Sequence, residues 1–206
     1  MIHAINWANA HLHDGALYDS HRLRHAIFVR RTGYDVPTYE DAEYDQFDTP
    51  AAVYLVHRGG SGRVDGVARL VPTTRPYMLR ELWPDLVEGP LPESPSVWEG
   101  TRFGIDAGLA VDERRNVSRR LVAACQEFGL DRGLEAMLVL MPPLILRSVI
   151  RSAGCEIEPL GPVKRKGGIP VQAARVPISE AALRAVRAVG GIRGDVLAPP
   201  PAARAA

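Results

Sequence analysis

The chain has few of the features that mark exported, membrane-bound or disulfide-rich proteins. Its two cysteines, Cys125 and Cys155, form no CxxC pair, which argues against a disulfide framework and against a cysteine-rich zinc site. No apolar run approaches the ~18 residues that a membrane span needs, and the opening MIHAINWANAHLH has neither the basic nor the apolar stretch of a secretory signal. We therefore expect a cytoplasmic protein without membrane insertion.

An excess of charge of one sign is also missing. Lys and Arg number 25 against 24 Asp and Glu, so the formal net charge is +1. A protein that binds nucleic acid through phosphate contacts is normally more basic, so no nucleic-acid partner is expected. The basic run Lys164-Arg165-Lys166 is interpreted as a solvated turn.

What remains is an ordinary globular composition in a chain of single-domain length. Hydrophobic residues make up 46% and charged residues 24% of the 206 positions, which suits one α/β domain with a sizeable core. We assign residues 1–196 to this domain. The Ala/Pro-rich stretch 197–206 is expected to be a disordered tail.

Hydrophobic periodicity predicts alternating helices and strands. An amphipathic helix is expected over 17–31, followed by an irregular acidic segment at 34–50, and a longer helix is expected from about 112 to 130. The predicted strands are 51–57, 64–71, 97–106, 135–141 and 170–177, and the other predicted helices are 79–82, 143–153 and 179–190.

The order of these elements predicts the fold class. A helix and an antiparallel hairpin are followed by strand, helix, strand, helix and strand. We expect an α/β protein, a single-domain αβα sandwich whose mixed central sheet is covered by helices on both faces.

Four short segments carry a resemblance to a known family. Arg24-x-x-x-Phe28 lies on the first predicted helix, the run from Glu43 to Asp48 (EYDQFD) lies in the acidic segment, and Arg69 lies near the end of the hairpin. The run from Glu99 to Phe103 (EGTRF) lies on the third strand. In this order they resemble the LuxI-type acyl-homoserine-lactone synthases, the autoinducer synthases of quorum sensing, over roughly residues 20–155.

The resemblance implies a fold similar to that of the N-acetyltransferase (GNAT) superfamily, in which two parallel strands splay apart around the pantetheine arm of a thioester. It implies an acyltransferase that moves an acyl group from acyl-CoA or acyl carrier protein to the amine of S-adenosylmethionine. Lactonisation then releases methylthioadenosine. Both reactants are substrates, and the resemblance implies no prosthetic group.

The sequence departs from the family pattern in two places. Tyr34 stands where the family usually has Trp, so an aromatic wall is retained. Met141, Pro142 and Pro143 occupy the neighbourhood where many members have a small hydroxyl residue, which disfavours a 3-oxo acyl group. Tyr34 and the bulky residues near 138–146 suggest a pocket for a short, branched or aryl group.

The implied reaction gives roles to the acidic residues. The α-amine must lose a proton, and Glu99 and Asp45 are the candidate acceptors. Asp45 and Asp48 can form an acidic wall beside the sulfonium, and Arg69 can hold either by an ion pair. Alternatively, Glu99 is a structural residue within an apolar strand whose charge is satisfied by Arg102.

The substrate carboxylate and the oxyanion need donors. Arg24 or Arg102 can bind the carboxylate in a forked geometry, and backbone N–H groups near Phe103 can meet the oxyanion. We predict Glu99, Asp45 and Arg102 as catalytic residues, and Arg24, Phe28, Tyr34, Asp48, Arg69, Thr101, Phe103 and Met141 as substrate-binding residues.

Other functions remain open at this point. His21 and His25 have a metal-compatible spacing, but no third ligand stands at motif spacing, so no metal is expected. A generic acetyl-CoA N-acetyltransferase would carry a glycine-bearing loop where this chain has only the run 114–119 (RRNVSR). A non-catalytic module that binds acyl thioesters would not need this set of acids and arginines. The basic run 164–166 could instead attract the phosphates of CoA or an acidic carrier protein.

Overall fold

The computed structural model describes residues 1–199, and a mixed β-sheet forms its centre. Its strands are β1 (Ile2–Ile5), β4 (Val53–Arg58), β5 (Val64–Pro72), β6 (Val97–Ile105), β7 (Ala136–Met141), β8 (Glu158–Pro159), β9 (Lys164–Lys166) and β10 (Ile169–Pro177). Along the sheet the order is β1-β4-β5-β6-β7-β10-β8, and β9 pairs with β10. A separate pair is formed by β2 (Thr38–Tyr39) and β3 (Ala42–Glu43).

Helices lie on both sides of this sheet. They are α1 (Ala16–Arg24), α2 (Met78–Leu82), α3 (Val111–Asp131), α4 (Pro143–Ile145) and α5 (Glu180–Gly190). Two of them continue as π-helical turns, His25–Arg31 after α1 and Leu146–Ile150 after α4. Among residues 1–199, no helix combines the length and the apolar character that a membrane span requires.

The parallel pair β6–β7 opens part of the way along its length. Pairing runs from Val97 opposite Ala136 to Gly100 opposite Val139. Beyond that point both strands continue, β6 to Ile105 and β7 to Met141, without pairing with each other. The two strands therefore splay apart at their carboxyl ends, as the resemblance implied.

Each face of the sheet has its own apolar core. On one side, α3 and α5 pack through residues such as Leu121, Phe128 and Val186. On the other side, α1, its π-helical turn and the segment 77–91 pack through residues such as Leu23 and Leu79. Burial on both faces explains why β5 is buried over most of its length. The expected αβα sandwich with a mixed sheet is confirmed.

Most predicted elements are present with ends shifted by one or two residues. The hairpin of β4 and β5 is antiparallel, and α5 is capped by Ser179, whose hydroxyl accepts a hydrogen bond from the N–H of Ala182 at 3.1 Å. The segment interpreted as one helix over 17–31 instead changes from α to π geometry at His25. The helix expected over 143–153 is likewise divided into three short turns.

Two interpretations of local structure are wrong. Lys164-Arg165-Lys166 is strand β9 rather than a turn, because its backbone pairs with β10 and its lysines bind Asp85. Residues 34–50, expected to be irregular, contain the short pair β2–β3.

Strand β1 was not predicted, and it gains its place by pairing with β4. Of the expected tail, Ala198 donates its N–H to the carbonyl oxygen of Ile2, and Leu197 lies opposite Ile2 in a parallel bridge. Residues 200–206 lie outside the described residues.

Candidate active site

A β-bulge in β6 determines where its side chains point. Arg102 and Phe103 together lie opposite the single residue Ala68 of β5, and Arg102 has a φ of +51°, a left-handed value unusual for a residue with a side chain. The bulge interrupts the alternation of the strand. Arg102 therefore reaches Glu43 on the α1 side, whereas Phe103 packs on the α3 side.

Arg24, from α1, binds the acidic loop that follows β3. Its Nε donates to Glu43 at 2.5 Å, and its Nη1 and Nη2 donate to the two oxygens of Asp48 at 2.7 and 2.9 Å. The side chains of Arg24 and Glu43 are fully buried. Tyr54 on β4 donates its hydroxyl to Asp48 at 2.7 Å. Arg24 thus ties the helix to the loop with a forked, charge-assisted contact.

Arg69, on strand β5, binds the same acidic loop. Its Nη1 and Nη2 donate to the two oxygens of Asp45 at 2.5 and 3.0 Å, and its Nη1 also donates to Asp48 at 2.9 Å. Its Nε donates to the hydroxyl of Thr101 on β6 at 3.0 Å. Arg69, which was expected to pair with Asp45 or Asp48, therefore pairs with both.

Arg102 is the third arginine that contacts these carboxylates. Its guanidinium lies 2.9 Å from Glu43 and 2.7 Å from Asp45, and it is 9% exposed. We call these six residues the arginine–carboxylate network: Arg24, Arg69, Arg102, Glu43, Asp45 and Asp48. Each carboxylate contacts two arginines, so every charge in the network is compensated.

The electrostatics of the network keep its buried groups ionised. Burial alone would raise the pKa of Asp48, but the hydrogen bonds and charge of Arg24, together with the charge of Arg69, hold it well below its usual range. Burial opposes the charge of Arg24 and Arg69, yet their carboxylate partners raise the pKa of both. Arg24, Arg69 and Asp48 are therefore fixed charges at neutral pH.

Glu99 has different partners from those expected. Its carboxylate is fully buried and accepts hydrogen bonds from the backbone N–H groups of Met78 at 2.9 Å and Leu79 at 2.7 Å, at the start of α2. Arg102 does not pair with it, so the interpretation that Arg102 satisfies Glu99 is wrong. Burial raises the pKa of Glu99, although the two N–H groups oppose this shift.

His21 supports the acidic loop from α1. Its Nδ1 lies 2.8 Å from the backbone carbonyl oxygen of Glu43, which can only accept, so Nδ1 carries the proton. Its ring stacks on Tyr44 with centroids 4.2 Å apart. Burial and the charge of Arg24 lower the pKa of His21, so the imidazole is neutral. Within residues 1–199, no group of three or more His, Cys, Asp or Glu residues is placed to hold a metal ion.

An aromatic wall stands beside the network. Phe28 and Tyr34 are stacked with their ring centroids 6.0 Å apart, and the guanidinium of Arg102 lies 5.4 Å from the centroid of Phe28. Tyr34 is 37% exposed, which leaves one side of the wall open. An aromatic face of this kind can stack on a flat or cationic ligand.

An apolar cavity of about 40 Å³ lies on the α3 side of the splay. Phe103 and Thr101 of β6 and Met141 of β7 line it, and α3 contributes Cys125. Burial raises the pKa of the Cys125 thiol to about 12, so it is protonated and acts as an apolar wall rather than as a nucleophile.

The structure brings together most of the predicted residues. Arg24, Asp45, Asp48, Arg69 and Arg102 form the network with Thr101 attached. Met78 connects Glu99 to it, because its sulfur lies 3.9 Å from Nη1 of Arg102 and its N–H binds Glu99. Phe103 and Met141 lie across the sheet at the apolar cavity.

Sequence reasoning missed three supporting residues. Glu43 belongs to the EYDQFD run but received no role, although a glutamate two positions before Asp45 in a short acidic segment was a usable signal. Tyr54 and His21 offered none, because each reaches the network only through tertiary contacts.

Comparisons with known proteins agree with this geometry. The family model described as Autoinducer synthase matches residues 8–186. An acyl-homoserine-lactone synthase of Ralstonia nicotianae is 35% identical over 185 residues, which cover 87% of this chain and 88% of that protein. An isovaleryl-homoserine lactone synthase of Bradyrhizobium diazoefficiens is 38% identical over 166 residues, covering 78% and 72%.

Solved structures show the same relationship. The CoA-dependent acyl-homoserine lactone synthase BjaI, in complex with SAM and isopentyl-CoA, superposes with a TM-score of 0.85 at 33% identity, covering 96% of this chain and 92% of that one. A putative N-acetyltransferase from Lactobacillus plantarum, at 17% identity and a TM-score of 0.57, shares the fold alone. The chain belongs to the autoinducer synthase family, the acyltransferases known as acyl-homoserine-lactone synthases.

Proposed function

We propose that this chain forms an acyl-homoserine lactone from S-adenosylmethionine and a short-chain acyl-CoA. The observation that carries this proposal is the arginine–carboxylate network at one face of β6, directly beside the point where β6 and β7 splay. A charged amino-acid nucleophile and an acyl thioester can therefore approach the same strand from its two sides.

The charges suit this nucleophile. Three arginines and three carboxylates in the network cancel, and an ionised Glu99 makes the region net negative. S-adenosylmethionine carries a sulfonium, an ammonium and a carboxylate, and is net positive. The site and the substrate are thus complementary, and the open face of Tyr34 offers a surface for the adenine ring.

The reaction proceeds in two steps. The deprotonated α-amine attacks the thioester carbonyl, the new C–N bond forms, and the C–S bond of the thioester breaks as the thiol takes up a proton. The methionyl carboxylate then attacks its own γ-carbon, a C–O bond closes the lactone, and the C–S bond to the sulfonium breaks. Methylthioadenosine leaves, and no covalent enzyme intermediate is needed.

Glu99 is the better candidate for the general base. Both carboxylate oxygens of Asp45 already accept hydrogen bonds from Arg69, and one of them also contacts Arg102, so neither oxygen is free for the substrate amine. Glu99 has no arginine within ion-pair distance among the described residues, and burial raises its pKa toward the range useful for proton transfer. Because its side chain is buried, we infer that a water molecule relays the proton.

The arginines divide into two roles in this proposal. Arg24 is fully buried and donates all its bonds to Glu43 and Asp48, so it positions the loop rather than binding substrate. Arg102 lies between Phe28 and the acidic loop and remains partly exposed, so we assign the substrate carboxylate to it. The backbone of β6 beyond Gly100, which no longer pairs with β7, faces the thioester and provides N–H groups near Phe103 for the oxyanion.

The acyl group belongs in the apolar cavity on the α3 side. At about 40 Å³ this space is far smaller than the ~300 Å³ or more of a typical ligand pocket. Met141 and Phe103 are among the residues that line it. We therefore propose a short or branched acyl chain, in keeping with the isovaleryl group in the name of one similar protein and the isopentyl-CoA bound in one similar structure.

Coenzyme A is the proposed donor rather than acyl carrier protein. Solved CoA-dependent synthases superpose with TM-scores of 0.85 and 0.86. The ammonium groups of Lys164 and Lys166 bind Asp85, so this basic run is a weaker candidate for recognising phosphates or an acidic carrier. The half-buried Arg114, in the first turn of α3, is a better candidate, because it forms no ion pair within residues 1–199, whereas Arg115 pairs with Asp112.

We also infer one catalytic domain over residues 1–196, working in the cytoplasm. A single sheet joins β1 to β10, and Val196 donates to the buried carboxylate of Glu127 on α3, so no part of this range is independent. Both proposed substrates are cytoplasmic metabolites.

The test is direct. Purified protein is incubated with S-adenosylmethionine and a panel of acyl-CoA and acyl carrier protein thioesters, while methylthioadenosine and lactone are measured by mass spectrometry. We expect both products in equal amounts with a short acyl-CoA. Consumption of acetyl-CoA with amine acceptors but without methylthioadenosine would show an N-acetyltransferase, and thioester binding without turnover would show a binding module.

A further inference from the structure

A second cavity lies away from the arginine–carboxylate network. It has a volume of about 530 Å³ and opens between β1 with its following turn, the carboxyl end of α3, α5 and the segment 195–199. Its apolar lining includes the half-buried Leu130 and Leu197, and none of the six network residues lines it. The volume lies in the range of small-molecule sites.

Two buried side-chain nitrogen atoms in its lining lack partners. The side chain of His13 belongs to a residue only 8% exposed, and its Nε2 is buried without a hydrogen bond among the described residues. The Nε of Arg187 is in the same position, although its Nη2 binds Glu127 and Asp195. Buried polar atoms without partners are uncommon and indicate a missing polar ligand or water.

The rim of the cavity also carries charged side chains of both signs that form no ion pair within residues 1–199. The guanidinium of Arg132 lies 4.6 Å from the ring centroid of Phe128 and 5.8 Å from that of Trp98, and it forms no ion pair within residues 1–199. Asp131 and Glu180 line the same cavity and likewise form no ion pair in this part of the chain. One cation and two anions are therefore available to a ligand.

The histidines add no further positive charge. Burial and then the charge of His13 lower the pKa of His3, and burial and then the charge of Arg58 lower the pKa of His13. Both rings are neutral near pH 7. A ligand with negative charge alone would meet two free carboxylates, and one with positive charge alone would leave Arg132 unmatched.

We propose that this cavity binds a free α-amino acid with an apolar side chain. The ligand carboxylate pairs with Arg132, the ammonium pairs with Asp131 or Glu180, and the side chain lies against Leu130 and Leu197. This site is separate from the one proposed for S-adenosylmethionine and does not depend on it.

Isothermal titration calorimetry with L-phenylalanine and two matched analogues tests the ammonium and the carboxylate of the ligand separately. 3-Phenylpropanoate lacks the ammonium and phenethylamine lacks the carboxylate. We expect L-phenylalanine to bind with saturating S-adenosylmethionine present and each analogue to bind roughly tenfold more weakly or worse. Displacement of L-phenylalanine by S-adenosylmethionine, or no binding at millimolar concentration, would overturn the proposal.

Variants locate the site. Arg132→Gln should lower the affinity for L-phenylalanine and 3-phenylpropanoate roughly tenfold and leave that for phenethylamine unchanged. The double variant Asp131→Asn/Glu180→Gln should lower the affinity for L-phenylalanine and phenethylamine and leave that for 3-phenylpropanoate unchanged. His13→Leu removes the unpartnered Nε2, which can bind either charged group of the ligand as a donor or as an acceptor, and should weaken all three. Arg184→Gln, an exposed arginine of α5 outside the cavity, is the matched control and should change nothing. Unaltered affinities in Arg132→Gln and His13→Leu would place the ligand elsewhere and refute this site.

Discussion

The carboxylate of Glu99 accepts a 2.7 Å hydrogen bond from the backbone N–H of Leu79, in the first turn of α2. This bond joins the central strand of the sheet to a short helix that has no capping side chain of its own. A carboxylate at this place satisfies N–H groups that a helix start leaves unpaired. Glu99 therefore has a structural bond in addition to its proposed catalytic role, and the two roles have different experimental consequences.

Glu99→Gln should reduce lactone formation at least about 100-fold, the usual contribution of a general base. It should also lower the free energy of unfolding by ~1–3 kcal/mol, because the amide NH₂ opposes a backbone N–H and leaves it unsatisfied. Steady-state kinetics and urea unfolding check the two effects. A variant that unfolds more easily but turns over at the normal rate would show that Glu99 only holds α2.

Arg24→Met should destabilise the fold strongly. It leaves Glu43 buried with one partner fewer and removes the forked contact to Asp48, and breaking a buried ion pair on one side costs about 3–5 kcal/mol. Arg22→Met, two positions earlier on the same helix with an exposed ion pair to Asp41, is the control and should have little effect. Similar midpoints of urea unfolding for both variants would contradict this account of the network.

The stability of the protein should decrease as the pH falls below about 6.5. His21 is neutral in the folded state because burial and Arg24 lower its pKa, so the unfolded chain, with its value near 6.5, binds more protons. Stability from this residue is fully present above that pH and is lost as the pH falls toward the folded value. His21→Phe keeps a ring on Tyr44 and should flatten this slope between pH 7 and 5.

Urea unfolding across that pH range measures the difference between the two proteins. His3 and His13 also have lowered pKa values but are present in both, so they do not obscure the comparison. Equal slopes would mean that His21 titrates alike in the folded and unfolded states.

Met141→Ala should shift acyl selectivity toward longer chains. The side chain lines a cavity of about 40 Å³, and its removal extends this space. One methylene in an apolar pocket changes kcat/KM by roughly 10-fold or more, so the ratio for an acyl-CoA one or two carbons longer than the preferred one should rise by at least that factor. Leu144 lies in α4, three positions after Met141, and is 67% exposed, so Leu144→Ala should leave the ratio unchanged. No change in selectivity for Met141→Ala would place the acyl chain elsewhere.

Local patterns were enough to predict the sandwich. The spacing of Val117, Leu121 and Phe128 predicts α3, and the alternation in VDGVARLV predicts β5, because each pattern matches the period of one element and one or two buried faces. Strand β9 was not predictable in this way. Its residues Lys164–Lys166 have no apolar side chain to bury, and they form a strand only because β10 offers backbone partners and Asp85 offers a charge.

The site likewise has features that follow from local sequence patterns and features that depend on contacts between distant segments. Residue type and spacing are local properties of the chain, and they are enough to place Arg24, Asp45, Asp48, Arg69 and Arg102 in family order. Which of these residues meet depends on the folded chain. The bulge opposite Ala68 turns Arg102 toward Glu43 and away from Glu99, and the packing of α2 supplies Glu99 with backbone donors instead. An ion pair or a buried hydrogen bond requires distances of a few ångströms between segments that are far apart in the sequence, and no local pattern records such distances.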